Sequence, residues 1–165
     1  TRLHDAFRGG EINKRYLALV KGCWHNPVQN VRLPLLKYLT AGGERRVSVS
    51  TEGKEAHSIV RLLVCWQNFS LVEVELKTGR THQIRVHLSH LGFPLAGDDK
   101  YGDFSWNKTL QKAGLRRMFL HAAKLAFRHP LDEDRKIALE ASLPQELRSF
   151  IDQIECHEER AYGEA

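Results

Sequence analysis

The sequence predicts an α+β domain built on a mixed, mostly antiparallel sheet with a few flanking helices. Three observations predict it: a local hairpin over residues 59–76, more strand patterns than helix patterns, and hairpin-length connections with helices placed irregularly among them. A doubly wound parallel fold would instead alternate strand and helix along the chain.

In chain order, Leu3, Ala6 and Phe7 recur at helical spacing until Gly9-Gly10 stops them, which reads as the end of a helix. Tyr16-Leu17-Ala18-Leu19-Val20 reads as a strand closed by Gly22. Residues 27–41 hold Pro27 and Pro34 and are expected to be extended but irregular. A turn at Ala41-Gly42-Gly43 leads to a short strand at Val47-Ser48-Val49-Ser50. The hairpin follows, Ile59 to Trp66 going out and Leu71 to Leu76 returning, with Val72, Val74 and Leu76 opposite in facing to Glu73 and Glu75. A helix is expected from about Thr81 to Leu91, with Ile84, Leu88 and Leu91 as its buried stripe and Gly92 and Pro94 beyond its end. A short helix around Trp106 to Gln111, strands at Met118–Phe127 and Lys136–Leu139, and a helix from Leu143 to about Ile154 complete the pattern. One domain over residues 1–155 and a disordered acidic tail over 156–165 are expected.

Composition narrows the function. The net charge is +5, with basic residues crowded into the first third and Asp152, Glu155, Glu158, Glu159 and Glu164 at the end. A basic body suits a polyanionic partner. No apolar run approaches the roughly 18 residues of a membrane span, and no secretory leader is expected. Cys23, Cys65 and Cys156 are scattered and odd in number, so three reduced thiols in a cytoplasmic protein are expected. The chain opens on Thr1, which reads as a processed or fragment end.

The densest polar stretch is Thr78-Gly79-Arg80-Thr81-His82-Gln83-Ile84-Arg85-Val86-His87, at a strand-to-helix junction. Helix N-termini point backbone N–H groups at anions, and Arg80 and Arg85 add directional donors for phosphate or carboxylate. Gln83 and His82 suit reading a polar ligand's edge; the other reading is a charged helix start that only caps the junction. Arg85 shares a face with Leu88, so its head group would need an anionic partner. His82, His87 and His90 lack metal-site spacing, having neither a His-Glu-x-x-His pattern nor a nearby cysteine. Asp98-Asp99 suits either a magnesium or acid–base pair or, as favoured here, turn chemistry. Tyr16 among Lys14, Arg15 and Lys21 suits stacking on a base, or simply filling a core.

These residues resemble a known family. Gly79 to His87, followed by Gly92-Phe93-Pro94-Leu95-Ala96-Gly97-Asp98, is similar to a motif of the large-subunit-rRNA and tRNA pseudouridine synthases. Lys14-Arg15-Tyr16-Leu17-Ala18-Leu19-Val20-Lys21-Gly22 resembles their tyrosine-bearing strand, and Phe119-Leu120-His121-Ala122, with Leu125, Phe127, His129 and Pro130, their closing strand. The resemblance implies the catalytic-domain fold of that family, truncated at its N-terminus, and an isomerase that detaches uracil, turns it and rejoins it through carbon. It implies no cofactor and no metal. The substrate would be specific uridines of 23S ribosomal RNA, flipped out of the strand. The protein is expected to be monomeric and away from membranes. By motif, Tyr16 would stack on the flipped base and Arg85 would hold the catalytic aspartate ionised. Arg80, His82 and Gln83 would line or brace the site, and Lys14, Arg15 and Lys100 would contact RNA.

The departure is the family's His-Arg-Leu-Asp stretch, which carries the nucleophile and does not occur here. Arg2-Leu3-His4-Asp5 has the same residues in another order, so Asp5 is a decoy. Arg85 is therefore expected to lack its partner and the isolated chain to be inactive. Two rivals stand beside this: a non-catalytic RNA-binding module, and a metal hydrolase using His87, His90 and Asp98.

Overall fold

The computed structural model describes residues 13–129 and 132–163. The helical reading around Leu3–Phe7 and the decoy Asp5 lie outside them. The described strands are β1 (Asn13–Lys21), β2 (Val28–Arg32), β3 (Leu35–Leu39), β4 (Arg45–Val49), β5 (His57–Cys65), β6 (Phe69–Leu76), β7 (Leu120–His129) and β8 (Asp132–Glu140). The helices are α1 (Gln83–His90), α2 (Phe104–Lys112) and α3 (Gln145–His157).

Six strands form one sheet in the order β2-β5-β6-β1-β7-β8, while β3 and β4 form a separate ribbon. Every pairing among the described residues is antiparallel, in line with the mostly antiparallel sheet expected. Strand alternation sends successive side chains to opposite faces. Ala18, Val20, Val60, Leu62, Val72 and Val74 therefore pack on one side, beneath Ile84 and Leu88 of α1. Leu19, Trp66 and Phe119 pack on the other, against Leu110 of α2 and Leu147, Phe150 and Ile154 of α3. The expected facing of Val72, Val74 and Leu76 and the stripe of α1 both hold.

Glu73 and Glu75 turn away from that first face, yet both are buried. Arg15, Arg61 and Lys77 surround them: Arg61 lies 2.8 Å and Lys77 2.8 Å from Glu75, and Arg15 3.1 Å from Glu73. Burial pushes the Glu75 carboxyl up, but its hydrogen bonds to Lys77 and Arg61 outweigh that and hold it below its ordinary value.

Two expectations are corrected. Residues 27–41 are not irregular: Pro34 falls between two strands, where its missing N–H breaks no ladder, and β2 pairs with β5 while β3 pairs with β4. The cysteines are not all free: Cys23 and Cys65 form a disulfide with Cα atoms 5.7 Å apart, leaving Cys156 free and exposed. Strands β1 and β5 flank β6 and both end opposite its first residues, Lys21 across from Phe69 and Cys65 across from Ser70. The end of α3 and the residues after it, through Gly163, meet the β5–β6 turn. Glu158 accepts from the Asn68 backbone N–H, Tyr162 exchanges backbone hydrogen bonds with Cys65, and the Ala161 N–H donates to the Cys65 carbonyl.

Candidate functional site

The turn entering α1 is braced from inside by Gln83, which is 2% exposed. Its Oε1 accepts from the Thr78 hydroxyl (2.7 Å) and the Arg80 backbone N–H (3.0 Å). Its Nε2 donates to the His57 carbonyl (3.0 Å) and the Ser58 hydroxyl (2.8 Å). All of its polar capacity is therefore spent holding the turn against β5. Gln83 thus ties the turn into α1 to the start of β5.

The same chain of bonds continues into His87. Its Nδ1 lies 2.9 Å from Ser58 Oγ and its Nε2 2.9 Å from the Leu33 carbonyl. A carbonyl only accepts, so Nε2 carries the proton and Nδ1 accepts the Ser58 hydroxyl. Both ring nitrogens are occupied within the core, which disposes of His87 as a metal ligand. Among the described residues no cluster of His, Cys, Asp or Glu is arranged to hold a metal ion.

Burial lowers the pKa of His87, and of His57 and His82, below the ordinary 6.5. An unfolded chain then binds more protons than the folded one between the folded and unfolded values. Stability is therefore complete above about 6.5 and declines as pH falls below it. The urea midpoint is expected to be lower at about pH 5.5 than at about pH 7.5, with part of the difference removed in His87→Gln. Equal midpoints would contradict the buried neutral imidazole.

Arg85 is clamped by Asp98 through two parallel bonds, Nε to Oδ2 at 3.0 Å and Nη2 to Oδ1 at 2.7 Å. Such a forked pair fixes the guanidinium plane as well as its charge. Asp98 is fully buried and also accepts the backbone N–H groups of Lys100 (3.0 Å) and Tyr101 (3.1 Å). Burial pushes the Asp98 carboxyl up, but Arg85 and the two N–H groups outweigh it and hold it below its ordinary value. Gly97 makes this approach possible. Its φ is +80°, and a Cβ there would stand 2.4 Å from the Arg117 carbonyl oxygen.

The pair gives Arg85 the anionic partner its position calls for, 13 residues on where the chain turns back at Gly97, and this partner is not the aspartate of a His-Arg-Leu-Asp stretch. It also shows the Asp98-Asp99 stretch to be turn chemistry, as favoured, because Asp98 is consumed by the turn and by Arg85, while the Asp99 side chain is 87% exposed. The third nitrogen of Arg85, Nη1, makes no hydrogen bond among the described residues. Tyr101, unremarked in the sequence beyond its loop, completes the wall: its ring lies 5.2 Å from the Arg85 guanidinium. Its hydroxyl accepts from the Val47 N–H (3.0 Å) and meets His82 Nδ1 at 2.7 Å. His82 itself stands in the left-handed region, at φ 54°.

Tyr16 is half-buried and packs against the cluster under Ile84 and Leu88, on the α1 side of the sheet. Strand alternation puts Lys14 on that side too. It puts Arg15 on the other, where Glu73 and Glu75 hold it, so the structure separates Arg15 from the group. Arg80 is exposed, its Nε donating to the Glu55 carbonyl at 2.9 Å. Lys100 pairs with Glu44 at 2.9 Å, and Arg46 together with Lys100 lowers the Glu44 carboxyl to about 2.

The comparisons with known proteins agree in direction. The family described as RNA pseudouridylate synthase matches residues 1–90. Ribosomal large subunit pseudouridine synthase C of Yersinia pestis is 43% identical over 149 residues, covering 90% of this chain and 46% of that protein. Its counterpart in Escherichia coli (strain K12) is 41% identical over 154 residues, covering 92% and 48%. The chain spans about half the length of these curated relatives. Among solved structures, Human RNA Pseudouridylate Synthase Domain Containing 4 superposes with a TM-score of 0.74 at 23% identity, covering 99% of this chain and 68% of that one. Human RNA Pseudouridylate Synthase Domain Containing 1 gives 0.70 at 22%, covering 98% and 71%. At these identities the two structures speak for the fold.

Proposed function

Because the chain belongs to the RNA pseudouridylate synthase family, we propose that it supplies one half of a catalytic centre converting uridines of large-subunit ribosomal RNA to pseudouridine. The observation that carries this reading is the Arg85 fork, locked on one edge by Asp98 and open at Nη1. An open guanidinium nitrogen on a rigid support suits a second carboxylate, ionised and oriented as a nucleophile. The reaction breaks the bond from C1′ to N1 and forms one from C1′ to C5. The C5 proton leaves and N1 gains one, so the product is an isomer and the balance needs no redox partner. Tyr16 would stack on the flipped base and assist removal of the C5 proton, while the unstacking costs a few kcal/mol.

A carboxylate nucleophile from outside this chain is part of the proposal, since no His-Arg-Leu-Asp stretch occurs within it. That absence is also what favours a second reading, an RNA-binding module of the same fold. The two part in one experiment. A 23S rRNA transcript is incubated with this chain, and separately with the polypeptide extended by the sequence upstream of Thr1 in its reading frame. Pseudouridine is read as carbodiimide-dependent stops of reverse transcription. Turnover by the extended polypeptide alone is expected; RNA binding without turnover by either would leave the binding module. The proposal places the protein, as a monomer, in the cytoplasm with its RNA. No described helix is long and apolar enough to cross a membrane.

A further inference from the structure

A second feature lies beside the α1 entry turn, where Gly79, Arg80 and Thr81 of the family-like motif meet Leu35, Lys37, Val47 and Lys54, which the resemblance did not single out. The β3–β4 ribbon, the turn before β5 and the Gly79–Thr81 turn enclose a cavity of about 220 Å³. Its floor is apolar, made by Leu35 and Val47, which are 5% and 4% exposed. Its rim carries three cations, Lys37, Lys54 and Arg80, and no carboxylate lines it. None of the three takes part in an ion pair among the described residues.

Each cation is positioned by backbone geometry. Lys54 exchanges both backbone hydrogen bonds with Leu35, each 2.9 Å. Gly53 presses so closely on the ribbon that a Cβ would stand 2.4 Å from the Leu35 carbonyl carbon. Lys37 stands opposite Val47, on the same side of β3 as Leu35 by alternation. Arg80 has its backbone N–H taken by Gln83 and its Nε by Glu55, which leaves both terminal nitrogens for a ligand. The backbone N–H groups of Gly79 and Thr81 donate to nothing among the described residues. Three like charges around one small cavity repel each other unless an anion neutralises them. The size suits one phosphate with part of a sugar.

We infer that this cavity is a phosphodiester site, which holds a backbone phosphate of the RNA strand next to the flipped nucleotide. The inference rests on the RNA-modifying reading above and adds Lys37 and Lys54 to the residues that hold the substrate. A phosphate contact positions the strand without reading its sequence. The site opens on the turn that leads through His82 to Arg85, so an anchored phosphate fixes where the adjacent base enters.

The test uses this chain and a fluorescein-labelled oligoadenylate of about ten nucleotides, which contains no uracil and so reports backbone binding alone. Anisotropy titrations at several salt concentrations are expected to show Lys37→Gln and Lys54→Gln each weakening binding about threefold to tenfold. Each should also lower the slope of log K against log salt by about 0.7. Lys37→Arg should restore binding. Lys112→Gln, on the separate basic surface of α2 near Lys108 and Arg116, should leave it unchanged. Equal loss from Lys112→Gln, or no loss in the Lys37→Gln/Lys54→Gln double variant, overturns the inference, as does failure of the chain to bind the oligomer at low salt. Turnover by the extended polypeptide is a separate readout. Pseudouridine formed with an unaffected double variant sinks only the phosphate site, whereas cavity-dependent binding without any turnover sinks only the enzymatic reading.

Discussion

Asp98→Asn is expected to lower the unfolding free energy by about 3–5 kcal/mol, the range for removing one partner of a buried ion pair. The side chains of Arg85 and Asp98 are 13% and 0% exposed, so little solvent screening softens the loss. An asparagine keeps the shape and one acceptor oxygen, but it turns an amide N–H toward the guanidinium and removes its counter-charge. Urea unfolding followed by circular dichroism measures the effect, and a change under about 1 kcal/mol would class the pair with solvent-exposed bridges. The pH dependence checks the cause. The folded carboxyl titrates below the ordinary 3.8, so the pair's stabilisation is complete above that value and is lost as pH falls through the lower folded one. The gap between wild type and Asp98→Asn should therefore shrink on acidification below 3.8. Replacing both partners by apolar residues of similar volume should cost less than Asp98→Asn alone, because no charge is left buried without a partner.

What the sequence made legible was local. The β5–β6 hairpin declares itself by alternation within a few residues of its turn, and Val72, Val74 and Leu76 face as that alternation requires. The stripe of α1 follows from the helical period in the same way. Pairings between distant segments were not legible. Pro27 and Pro34 made residues 27–41 look irregular, yet β2 is a strand because β5, well down the chain, pairs with it, while β3 folds back on β4 across the marked Ala41-Gly42-Gly43 turn. Cys23 and Cys65 are 42 residues apart and meet only because both flank β6. At the candidate site, the Gly79–His87 stretch stood out as the densest polar run in the sequence. It could not reveal that Gln83 faces inward while Arg85 reaches Asp98 across the Gly97 turn. Arg15 shows the opposite case: next to Tyr16 on a strand, it had to face the other way, and grouping the two overlooked that alternation.

In the extended polypeptide, Arg85→Met is expected to reduce pseudouridine formation by about a thousandfold or more, the upper range for losing a preorganised donor at a reacting centre. RNA affinity should change only a few-fold, because phosphate contacts are shared among many basic residues. Methionine matches the length of the arginine stem and suits its packing beside Leu88, but it leaves Asp98 buried without a partner. Lost turnover in the single variant would thus confuse chemistry with instability. The Arg85→Met/Asp98→Asn variant separates them. It carries no buried unpaired charge, so its urea midpoint should recover part of the way toward wild type while its turnover stays absent. Arg85→Lys adds a second discrimination, since an ammonium keeps the charge but cannot hold Asp98 with two bonds and still present a third nitrogen. Slow turnover in Arg85→Lys, with none in the double variant, would place the function in the fork geometry. Full turnover in a folded Arg85→Met/Asp98→Asn protein would remove Arg85 from the reaction and return it to the role of a structural clamp beneath α1.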